Sequence, residues 1–311
     1  MKFLVTGGAG FIGSHIVDAL IKDNNDVVVI DDFSSGREEN LEAVRNKIEL
    51  IRGDIRDKGL VKKAVKGVDY VLHQAALRSV PKSLGNPHIY NDVNINGTLN
   101  ILEEARGAKV KRVVFASSSS IYGETDKLPE KEDLLPLLIS PYALTKLAGE
   151  YYCRIFSEAY GLKTVGLRYF NVFGPRQSLE NEYAVVIPKF ITCMLKGEEP
   201  PVHGDGLQTR DFTYVENVVQ ANIRSAAAKG IRCEVLNIAC GNSNSVLDII
   251  KILNKLMGKD IKPKFTPTRP GDVKDTLADI TKAKKLIGFD PKVGFEEGLK
   301  RTIEYFSKIK N

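Results

Sequence analysis

Short apolar runs alternate with amphipathic stretches along the first half of the chain. An amphipathic helix is predicted after the first run, and longer helices are predicted over 87–105 and 141–160. The runs are rich in β-branched residues, which predicts buried strands. They lie at 2–6, 27–30, 48–51, 68–73, 110–116 and 164–167. This alternation predicts a parallel, doubly wound sheet with right-handed crossovers.

The second half of the chain contains further amphipathic stretches, which predict helices over 215–228, 246–257 and 295–309. Ser245 precedes the middle helix and Asp248 follows three positions later, which is the spacing of a capping box. The short apolar run 236–238 is predicted to return to the main sheet. No repeat or low-complexity linker separates the halves, so we expect a ligand to bind in a cleft between them.

The composition is that of a globular protein with a mixed surface. The 311 residues are 43% hydrophobic and 27% charged, with a net charge of +6 that is spread along the chain. A nucleic-acid-binding face needs a concentrated basic patch, and no apolar run reaches the ~20 residues that span a bilayer. We therefore expect neither nucleic acid nor a membrane as a partner. The first predicted strand starts at Lys2, so we expect no signal peptide.

The four cysteines and four histidines show no spacing typical of a metal site. No C-x-x-C pair occurs, and the histidines are scattered. We therefore expect neither a disulfide framework nor a metal. The expected protein is soluble, reduced and cytoplasmic.

A glycine motif follows the first predicted strand. Gly7, Gly10 and Gly13 form the pattern G-x-x-G-x-x-G between a strand and a helix. Glycines there permit a tight turn and close approach of the backbone to a pyrophosphate, which the helix amino terminus also attracts. The second strand ends at Asp31 and Asp32, and an acidic residue there would hold a ribose 2′-hydroxyl and repel a 2′-phosphate. The motif predicts NAD over NADP; the alternative is a glycine turn without a ligand.

A second cluster of polar residues follows the fifth predicted strand. Four serines, 117–120, lie at its carboxyl end, where open parallel sheets bind their ligands. Ser140 and Pro141 then predict the start of a helix on which Tyr142 and Lys146 share one face. A cation beside a phenol lowers a pKa that is ordinarily about 10. The cluster predicts proton exchange with a sugar alcohol; the alternative is a solvated serine loop and a chance Tyr–Lys spacing.

With these motifs, the chain resembles the extended short-chain dehydrogenases/reductases and, within them, the nucleotide-sugar 4-epimerases that act on UDP-glucose or UDP-N-acetylglucosamine. The resemblance covers nearly the whole chain. It rests on T-G-G-A-G-F-I-G (6–13), D-D (31–32), G-D-I (53–55), H-Q-A-A (73–76), S-S-S-S-I-Y-G (117–123), S-P-Y-A-L-T-K (140–146), L-R-Y-F-N-V-F-G-P-R-Q (167–177), G-D-G-L-Q-T-R-D-F-T-Y-V (204–215) and R-P-G-D-V (269–273).

The resemblance implies an α/β fold in two regions. Residues 1–170 would form a Rossmann-type NAD-binding domain that includes the catalytic residues. Residues 171–311 would mainly form a smaller α/β region that binds the UDP-sugar, with some segments returning to the main sheet. In relatives, helices matching 87–106 and 141–160 form a four-helix bundle, which implies a homodimer; the alternative is ordinary packing within one chain.

The resemblance also implies a catalytic mechanism. Tyr142 would be the acid/base, Lys146 would hold the nicotinamide ribose and lower the pKa of Tyr142, and Ser118 would hydrogen-bond the sugar 4-hydroxyl. NAD would take the hydride from C4, and the 4-keto sugar would turn over and receive it on the other face. The cofactor would end the cycle unchanged.

The resemblance further assigns contacts with the two ligands. The implied NAD contacts are Gly7, Gly10, Phe11, Ile12, Gly13, Asp31, Asp32, Ser35, Gly36, Asp54, Ile55, Gln74, Ala75, Ala76, Arg78, Asn94, Ser117, Tyr142, Lys146 and Tyr169. The implied UDP-sugar contacts are Ser118, Ser119, Ser120, Tyr142, Asn171, Gln177, Val185, Val186, Val202, His203, Arg210, Arg269, Asp272 and Thr276. Arg210 and Arg269 would bind phosphate and Asp272 the ribose. The chain departs from many relatives at Val185, where they carry Asn, and at Arg78, where they carry Lys.

The choice of sugar depends on positions where related enzymes differ. Dehydratases of this family carry Asp and Glu where this chain has Ser119 and Ser120, so loss of water is not expected. Thr276 matches the position that gates the sugar pocket, and a small residue there leaves room for an N-acetyl group. The resemblance therefore favours UDP-GlcNAc/UDP-GalNAc, with UDP-Glc/UDP-Gal also accepted.

Other functions stay open at this point. UDP-glucuronate 4-epimerases share the serine run, but they usually carry Thr in place of Asn171 and lack the Arg176-Gln177 ending. A net reductase or decarboxylase acting on a nucleotide sugar is a second alternative. A non-catalytic NAD-sensing protein is a third.

Overall fold

Seven parallel strands form the central sheet of the protein. The computed structural model describes residues 1–178, 186–268 and 273–309. The strands in this part of the chain are β1 (Lys2–Thr6), β2 (Asp26–Asp31), β3 (Ile48–Arg52), β4 (Tyr70–His73), β5 (Arg112–Ser118), β6 (Thr164–Tyr169), β7 (Val172–Phe173), β8 (Pro201–His203), β9 (Thr209–Asp211), β10 (Thr213–Tyr214), β11 (Cys233–Ile238), β12 (Ser243–Ser245) and β13 (Lys264–Thr266).

Helices lie between the strands. The α-helices of the described residues are α1 (Phe11–Lys22), α2 (Lys58–Ala64), α3 (Val80–Gly85), α4 (Pro87–Asn91), α5 (Gly97–Gly107), α6 (Pro141–Tyr160), α7 (Val186–Leu195), α8 (Val215–Ala227), α9 (Val246–Met257), α10 (Thr281–Ile287) and α11 (Phe295–Lys308). A π-helical turn, Asp92–Asn96, joins α4 to α5, and 3₁₀ segments occupy Glu38–Lys47 and Ser119–Ile121.

The strand order of the central sheet is β11-β6-β5-β4-β1-β2-β3. The direction of winding reverses between β1 and β4, which pair in parallel with Phe3 opposite Tyr70. In open sheets of this kind, ligands bind at the carboxyl ends of the strands on either side of such a reversal. The predicted parallel, doubly wound sheet is therefore confirmed.

Both faces of the sheet are buried because successive strand residues point to opposite sides. Leu4 and Val28 pack with the apolar residues of α2, α5 and α6 on one face. Val5 and Val29 pack with those of α1, α8 and α10 on the other. The near-continuous apolar character of the strand sequences follows from this double burial.

A second core lies outside the central sheet. Phe173, Phe190, Ile249 and Leu299 pack together, which joins β7 to helices α7, α9 and α11. Between these segments the chain returns to the central sheet, where α8 covers one face and β11 pairs with β6 in parallel. The predicted return of 236–238 to the main sheet is confirmed.

Most of the predicted elements are confirmed, and two predictions need correction. Strand β5 was expected to end at Ala116, but it runs to Ser118 because Ser117 and Ser118 pair with Arg168 and Tyr169 of β6. The single helix expected over 87–105 is interrupted by the π-helical turn. Asn94, in that turn, is buried and bonded to the neighbouring loop, so its side chain competes with a regular helical backbone.

No helix within the described ranges combines the length and the apolar character that crossing a bilayer requires. In the same residues, no three His, Cys, Asp or Glu side chains are grouped as a metal ion would need. The four cysteines are all free.

Candidate active site

An open cleft lies at the carboxyl ends of β1, β2 and β4. Its lining runs from the glycine turn after β1, past Asp31 and Asp54, to Tyr142 and Lys146 of α6. All of the predicted NAD contacts line this cleft except Gly36 and Asn94. The sequence did not single out six further lining residues, which are Ile30, Ser34, Gly53, Leu77, Val93 and Ala116. Each of these residues is close in the sequence to a predicted contact. This proximity is the signal from which they could have been predicted.

The glycine turn brings strand β1, helix α1 and the loop after β4 into close contact. A Cβ at Gly13 would lie 2.1 Å from the carbonyl oxygen of Gly7, and a Cβ at Gly7 would lie 2.8 Å from the amide nitrogen of Ala75. Gly7 also has φ +66°, a conformation that glycine adopts without strain. The first turn of α1, starting at Phe11, therefore faces the cleft with amide groups that no helical carbonyl satisfies. This part of the cleft fits a pyrophosphate.

The two aspartates at the end of β2 are held differently. Asp31 is buried, and its Oδ2 and Oδ1 accept hydrogen bonds from the amides of Ala9 (2.8 Å) and Phe33 (2.9 Å). Burial raises the pKa of Asp31, and these two bonds offset part of that rise. Asp32 is exposed and accepts bonds from Ser34 through Oδ1 alone. Asp31 thus fixes the glycine turn, while Asp32 keeps an accessible carboxylate oxygen at the edge of the cleft.

Gly36 does not line the cleft, but its lack of a side chain lets the backbone lie close to Asp31 and Ala9. A Cβ there would lie 2.7 Å from Oδ1 of Asp31 and 2.8 Å from the Cβ of Ala9. At the far end of the cleft, Asp54 is bonded to Arg56 at 2.6 and 2.9 Å, and these bonds lower its pKa. Ile55, an implied NAD contact, lines the cleft beside this pair with an apolar side chain.

A buried chain of hydrogen bonds runs behind the cleft. His73 lies between the hydroxyls of Thr6 (2.7 Å) and Thr98 (3.0 Å), and the Thr98 hydroxyl donates to the carbonyl of Asn94 (2.6 Å). Burial lowers the pKa of His73 to about 3, so the ring is neutral. Since Thr98 donates elsewhere, it accepts from Nε2–H, and the Thr6 hydroxyl donates to Nδ1.

Asn94 supports the wall of the cleft from behind. Its side-chain oxygen accepts from the amide of Leu77 (2.8 Å), and its Nδ2 donates to the carbonyl of Leu77 (3.0 Å) and to Oγ1 of Thr145 (3.0 Å). Thr145 in turn donates to the carbonyl of Tyr142 at 2.8 Å. Asn94, which was expected to touch NAD, thus ties the loop after β4 to α6.

The predicted catalytic group is assembled at the amino terminus of α6. Ser140 caps this helix by accepting from the amide of Ala143 at 3.1 Å, so the predicted cap is confirmed. Lys146 is buried and donates to the carbonyl of Ala116 at 2.7 Å, with Nζ 5.9 Å from the centre of the Tyr142 ring. Ser118 lies close enough to Tyr142 for hydrogen bonding by its hydroxyl to lower the pKa of the phenol.

The pKa values of this group differ from the expectation. The pKa of Tyr142 is raised because burial disfavours the phenolate, and this effect exceeds the lowering by the Ser118 hydrogen bond and by the nearby charge of Arg78. Burial also lowers the pKa of Lys146 to about 8. A cation beside the phenol was expected to dominate, but desolvation acts on both partners and is the larger effect.

Tyr169 forms the opposite wall of the cleft. Its hydroxyl lies 3.1 Å from Oε1 of Gln74 and 2.8 Å from Nδ2 of Asn222, and Gln74 donates to Asn222 at 2.9 Å. These bonds hold the ring at the end of β6. Asn222 was not predicted; its position in α8 gave no motif signal.

The second region places three of the predicted substrate contacts together. Asn171, with φ +33°, donates to Oγ1 of Thr276 (3.2 Å) and to the carbonyl of Asp211 (3.4 Å). Thr276 is buried beside them. The guanidinium of Arg210 donates to the carbonyls of Thr209 (2.8 Å) and Lys274 (2.9 Å). Val185, Arg269 and Asp272, which were also predicted, lie outside the described residues.

Other predicted substrate contacts do not line this cleft. Gln177 is buried and donates to the carbonyl of Val172 at 2.9 Å. Val202 is fully buried in the second core, and Val186 packs against the same core. His203 is bonded to Oγ1 of Thr266 at 2.8 Å. In the 3₁₀ segment after β5, Ser119 and Ser120 are partly buried next to Ser118, and the Ser120 amide donates to Oγ of Ser118 at 3.2 Å.

Known proteins share both the sequence and the fold. A profile of the NAD dependent epimerase/dehydratase family matches residues 3–239. The chain is similar to the UDP-N-acetylglucosamine 4-epimerase of Methanobrevibacter ruminantium, solved with UDP-N-acetylmuramic acid, with 45% identity, 98% of each chain covered and a TM-score of 0.94. It is similar to the UDP-glucose 4-epimerase of Thermotoga maritima, solved with UDP-glucose, with 42% identity, 99% of each chain covered and a TM-score of 0.94.

The likeness extends to an enzyme acting on a third sugar. The UDP-glucuronic acid 4-epimerase of Bacillus cereus, solved as a variant with NAD and a fluorinated UDP-glucuronic acid, is 36% identical over 100% of both chains, with a TM-score of 0.93. These three similar proteins are all UDP-sugar 4-epimerases, and they differ in the sugar on which they act.

Proposed function

The chain belongs to the NAD dependent epimerase/dehydratase family, whose UDP-sugar 4-epimerases use NAD, and on this premise we propose that it interconverts UDP-GlcNAc and UDP-GalNAc, and UDP-Glc and UDP-Gal. The observation that supports this most is the group of Ser118, Tyr142 and Lys146 at the end of the cleft, in which Lys146 is buried and the other two are partly exposed. In this group, Tyr142 would accept the proton of a sugar hydroxyl beside a bound dinucleotide.

The cleft has the features that NAD needs along its length. The glycine turn and the start of α1 would hold the pyrophosphate, Asp32 a ribose hydroxyl, and Ile55 the adenine. Lys146, at the other end, would hold the second ribose through its ammonium. When bound, NAD supplies a two-electron acceptor that returns the same hydride, so the reaction has no net redox change.

The protein's own residues would move the proton. Ser118 would orient the 4-hydroxyl of the sugar, and the Tyr142 oxygen would accept its proton as the C4–H bond breaks. Lys146 would favour the phenolate by its charge. After the 4-keto sugar has turned over, Tyr142 would return the proton to the oxygen on C4, so that only the configuration at C4 changes.

The second region would hold the nucleotide while the sugar turns. Asn171 and Arg210, with Arg269 and Asp272, would bind the diphosphate and ribose. Guanidinium groups suit this role because their parallel N–H donors match phosphate oxygens. Of the proposed UDP-sugar contacts, Gln177 and Val202 have their side chains engaged elsewhere, so their part would be to shape the wall behind the site.

The proposed breadth towards sugars rests on Thr276. This side chain is small, buried and bonded to Asn171, so it leaves room beside the proposed sugar site. The similar enzymes from M. ruminantium and T. maritima, which act on UDP-N-acetylglucosamine and UDP-glucose, are almost equally close to this chain. We therefore include both sugars in the proposal.

The likeness to the B. cereus enzyme supports UDP-glucuronate as an alternative substrate. A net reductase, a decarboxylase and a non-catalytic NAD sensor are less well supported, because the similar solved structures named above are 4-epimerases and a sensor would need no Ser–Tyr–Lys group. We also propose a cytoplasmic homodimer in which α5 and α6 form the interface.

The proposal is tested by incubating the purified protein with UDP-GlcNAc, UDP-Glc and UDP-GlcA separately, with and without added NAD. Chromatography of the nucleotide sugars should show the galacto epimers of the first two and no net NADH. Conversion of UDP-GlcA alone, or stoichiometric NADH or CO₂, would reject the proposal.

The role of Thr276 has its own test in the same assay. A Thr276→Tyr variant should lose about tenfold or more in kcat/KM for UDP-GlcNAc because the ring fills the space for the acetamide, while UDP-Glc is affected much less. Thr276→Ser is the matched control, since it keeps both the hydroxyl and the space. Equal losses for both sugars in the Tyr variant would remove Thr276 as the specificity residue.

A further inference from the structure

A buried ion pair lies directly beside the serines at the end of β5. Glu150 is in α6, one helical turn beyond Lys146, and Arg168 is in β6. Both side chains are 5% exposed. They form a two-bond fork, with Nε to Oε1 at 2.9 Å and Nη2 to Oε2 at 2.8 Å. This pair is outside the catalytic group described above.

The same carboxylate also holds β5. The hydroxyl of Ser117 donates to Oε1 of Glu150 at 2.5 Å. Ser117 lies opposite Arg168 in the β5–β6 register, and Ser118 is the next residue of the strand. One oxygen of Glu150 therefore joins the ends of β5 and β6 to the helix that carries Tyr142.

The arginine is fixed from its other side. Its guanidinium lies 4.8 Å from the centre of the Tyr122 ring, and Nη1 donates to the carbonyl of Glu132 at 3.3 Å. The hydroxyl of Tyr122 donates to Asn237 of β11 at 2.7 Å. Because these contacts surround the guanidinium, the fork cannot turn without breaking several of them, and a satisfied buried network of this kind is rigid.

A buried ion pair contributes little net stability, since desolvation of the two charges opposes their attraction. Its geometry is therefore the more informative property. We propose that Glu150 and Arg168 are positioning residues that hold Ser117 and, through it, keep the Ser118 hydroxyl against Tyr142. This inference rests on the proposed function, because it assigns the pair to the alignment of the same catalytic group.

The alignment has a measurable consequence for Tyr142. Among the described residues, the charged or titratable groups that interact with the Tyr142 side chain are Arg78, Tyr90 and Lys146. The Ser118 hydrogen bond lowers the pKa of Tyr142, which burial has raised. If Ser118 moves away, the phenol should titrate about one pH unit higher, which is the size expected for one hydrogen bond to a charged group.

The test uses Ser117→Ala, which removes the donated bond and leaves the ion pair intact. The titration of Tyr142 is read from tyrosinate absorbance as the difference from the same protein with Tyr142→Phe. We expect the midpoint to rise by about one unit and kcat to fall about tenfold, with KM for the UDP-sugar unchanged. Ser117→Thr keeps the hydroxyl and should return the midpoint towards the wild-type value.

A second pair of variants examines the carboxylate itself. Glu150→Gln should raise the Tyr142 midpoint, whereas Glu158→Gln, on the exposed part of the same helix, should not. If Glu150→Gln does not fold, Ser117→Ala alone decides the question. A wild-type midpoint and kcat in Ser117→Ala would overturn the inference.

The two proposals fail in different ways. The absorbance titration needs no turnover, so it remains readable in a protein that converts none of the UDP-hexoses. Absence of epimerisation by the wild-type protein would reject the proposed function, whereas an unshifted titration in Ser117→Ala would reject only the positioning role.

Discussion

At the scale of single residues, the proposed epimerisation depends first on the hydroxyl of Tyr142. Tyr142→Phe removes the proton acceptor and leaves the ring, so we expect kcat to fall about 10³-fold, within the range for loss of a general acid/base. NAD content after purification should be unchanged. Tyr160→Phe, at an exposed position at the end of the same helix, is the matched control. Turnover near the wild-type rate in Tyr142→Phe would remove this residue from the mechanism.

A buried carboxyl group gives a residue-scale prediction about stability and pH. Glu130 is 1% exposed, its Oε2 has no hydrogen-bond partner, and burial is the main cause that raises its pKa from 4.5 to about 8, with the charge of Asp211 adding to the rise. A carboxyl group whose pKa is raised in the folded state contributes stability that is lost as the pH rises from about 4.5 through 8.

Glu130→Gln should therefore stabilise the protein above pH 8, by about 1–3 kcal/mol, and have little effect near pH 4. Denaturant unfolding of both proteins at the two pH values measures this. Glu124→Gln, an exposed carboxyl in the same loop, serves as the control. A difference that does not grow with pH would show that Glu130 is not held protonated.

Single residues could be predicted best where a local structure or a reaction requires one residue type. The glycines, the capping Ser140 and the Tyr142–Lys146 pair could be found because each needs a particular type at a particular spacing. For Asn94 and Gln177 the sequence did not reveal the hydrogen-bond partners: the side chain of Asn94 donates to the carbonyl of Leu77, and that of Gln177 donates to the carbonyl of Val172. Which way a polar side chain turns depends on partners distant in the chain, and spacing does not reveal them.

At the scale of elements, the π-helical turn Asp92–Asn96 links the loop after β4 to α6, the helix that carries Tyr142. Asn94→Ala would leave the backbone of Leu77 without partners, and we expect it to cost about 2–3 kcal/mol of unfolding free energy and to lower kcat. Asn96→Ala, in the same turn but exposed, is the matched control. Equal stability of the two variants would contradict the supporting role of Asn94.

The apolar pattern predicted most of the helices and strands, but not their irregularities. The apolar residues of 87–105 recur with helical spacing throughout. This spacing does not distinguish a π-helical turn, which has one extra residue, from an α-helical one. The extension of β5 to Ser118 was missed because serines resemble a loop in composition, whereas pairing with β6 decides the strand end. Both misses lie at the proposed site, where side-chain contacts override local preference.

At the scale of the whole molecule, α6 presents an apolar stripe to solvent. Leu144, Tyr151 and Ile155 are 53%, 56% and 48% exposed and share one face of the helix. The proposed homodimer would bury this stripe. A Tyr151→Glu/Ile155→Glu double variant should therefore run as a monomer by light scattering, while Glu158→Gln should not change the mass. A wild-type protein that is already monomeric at micromolar concentration would contradict the proposal.

The proposed mechanism requires that C4 of the sugar is oxidised and then reduced by the same hydride. An isotope label at C4 follows that hydride. UDP-glucose carrying deuterium at C4 is converted in ordinary water, and the deuterium in the UDP-galactose formed is measured by mass spectrometry. We expect full retention of the deuterium, because the hydride leaves C4 and returns to it without exchanging with solvent. Loss of the label to water would show that C4 is inverted by proton exchange, and the mechanism built on Ser118, Tyr142 and Lys146 would be wrong.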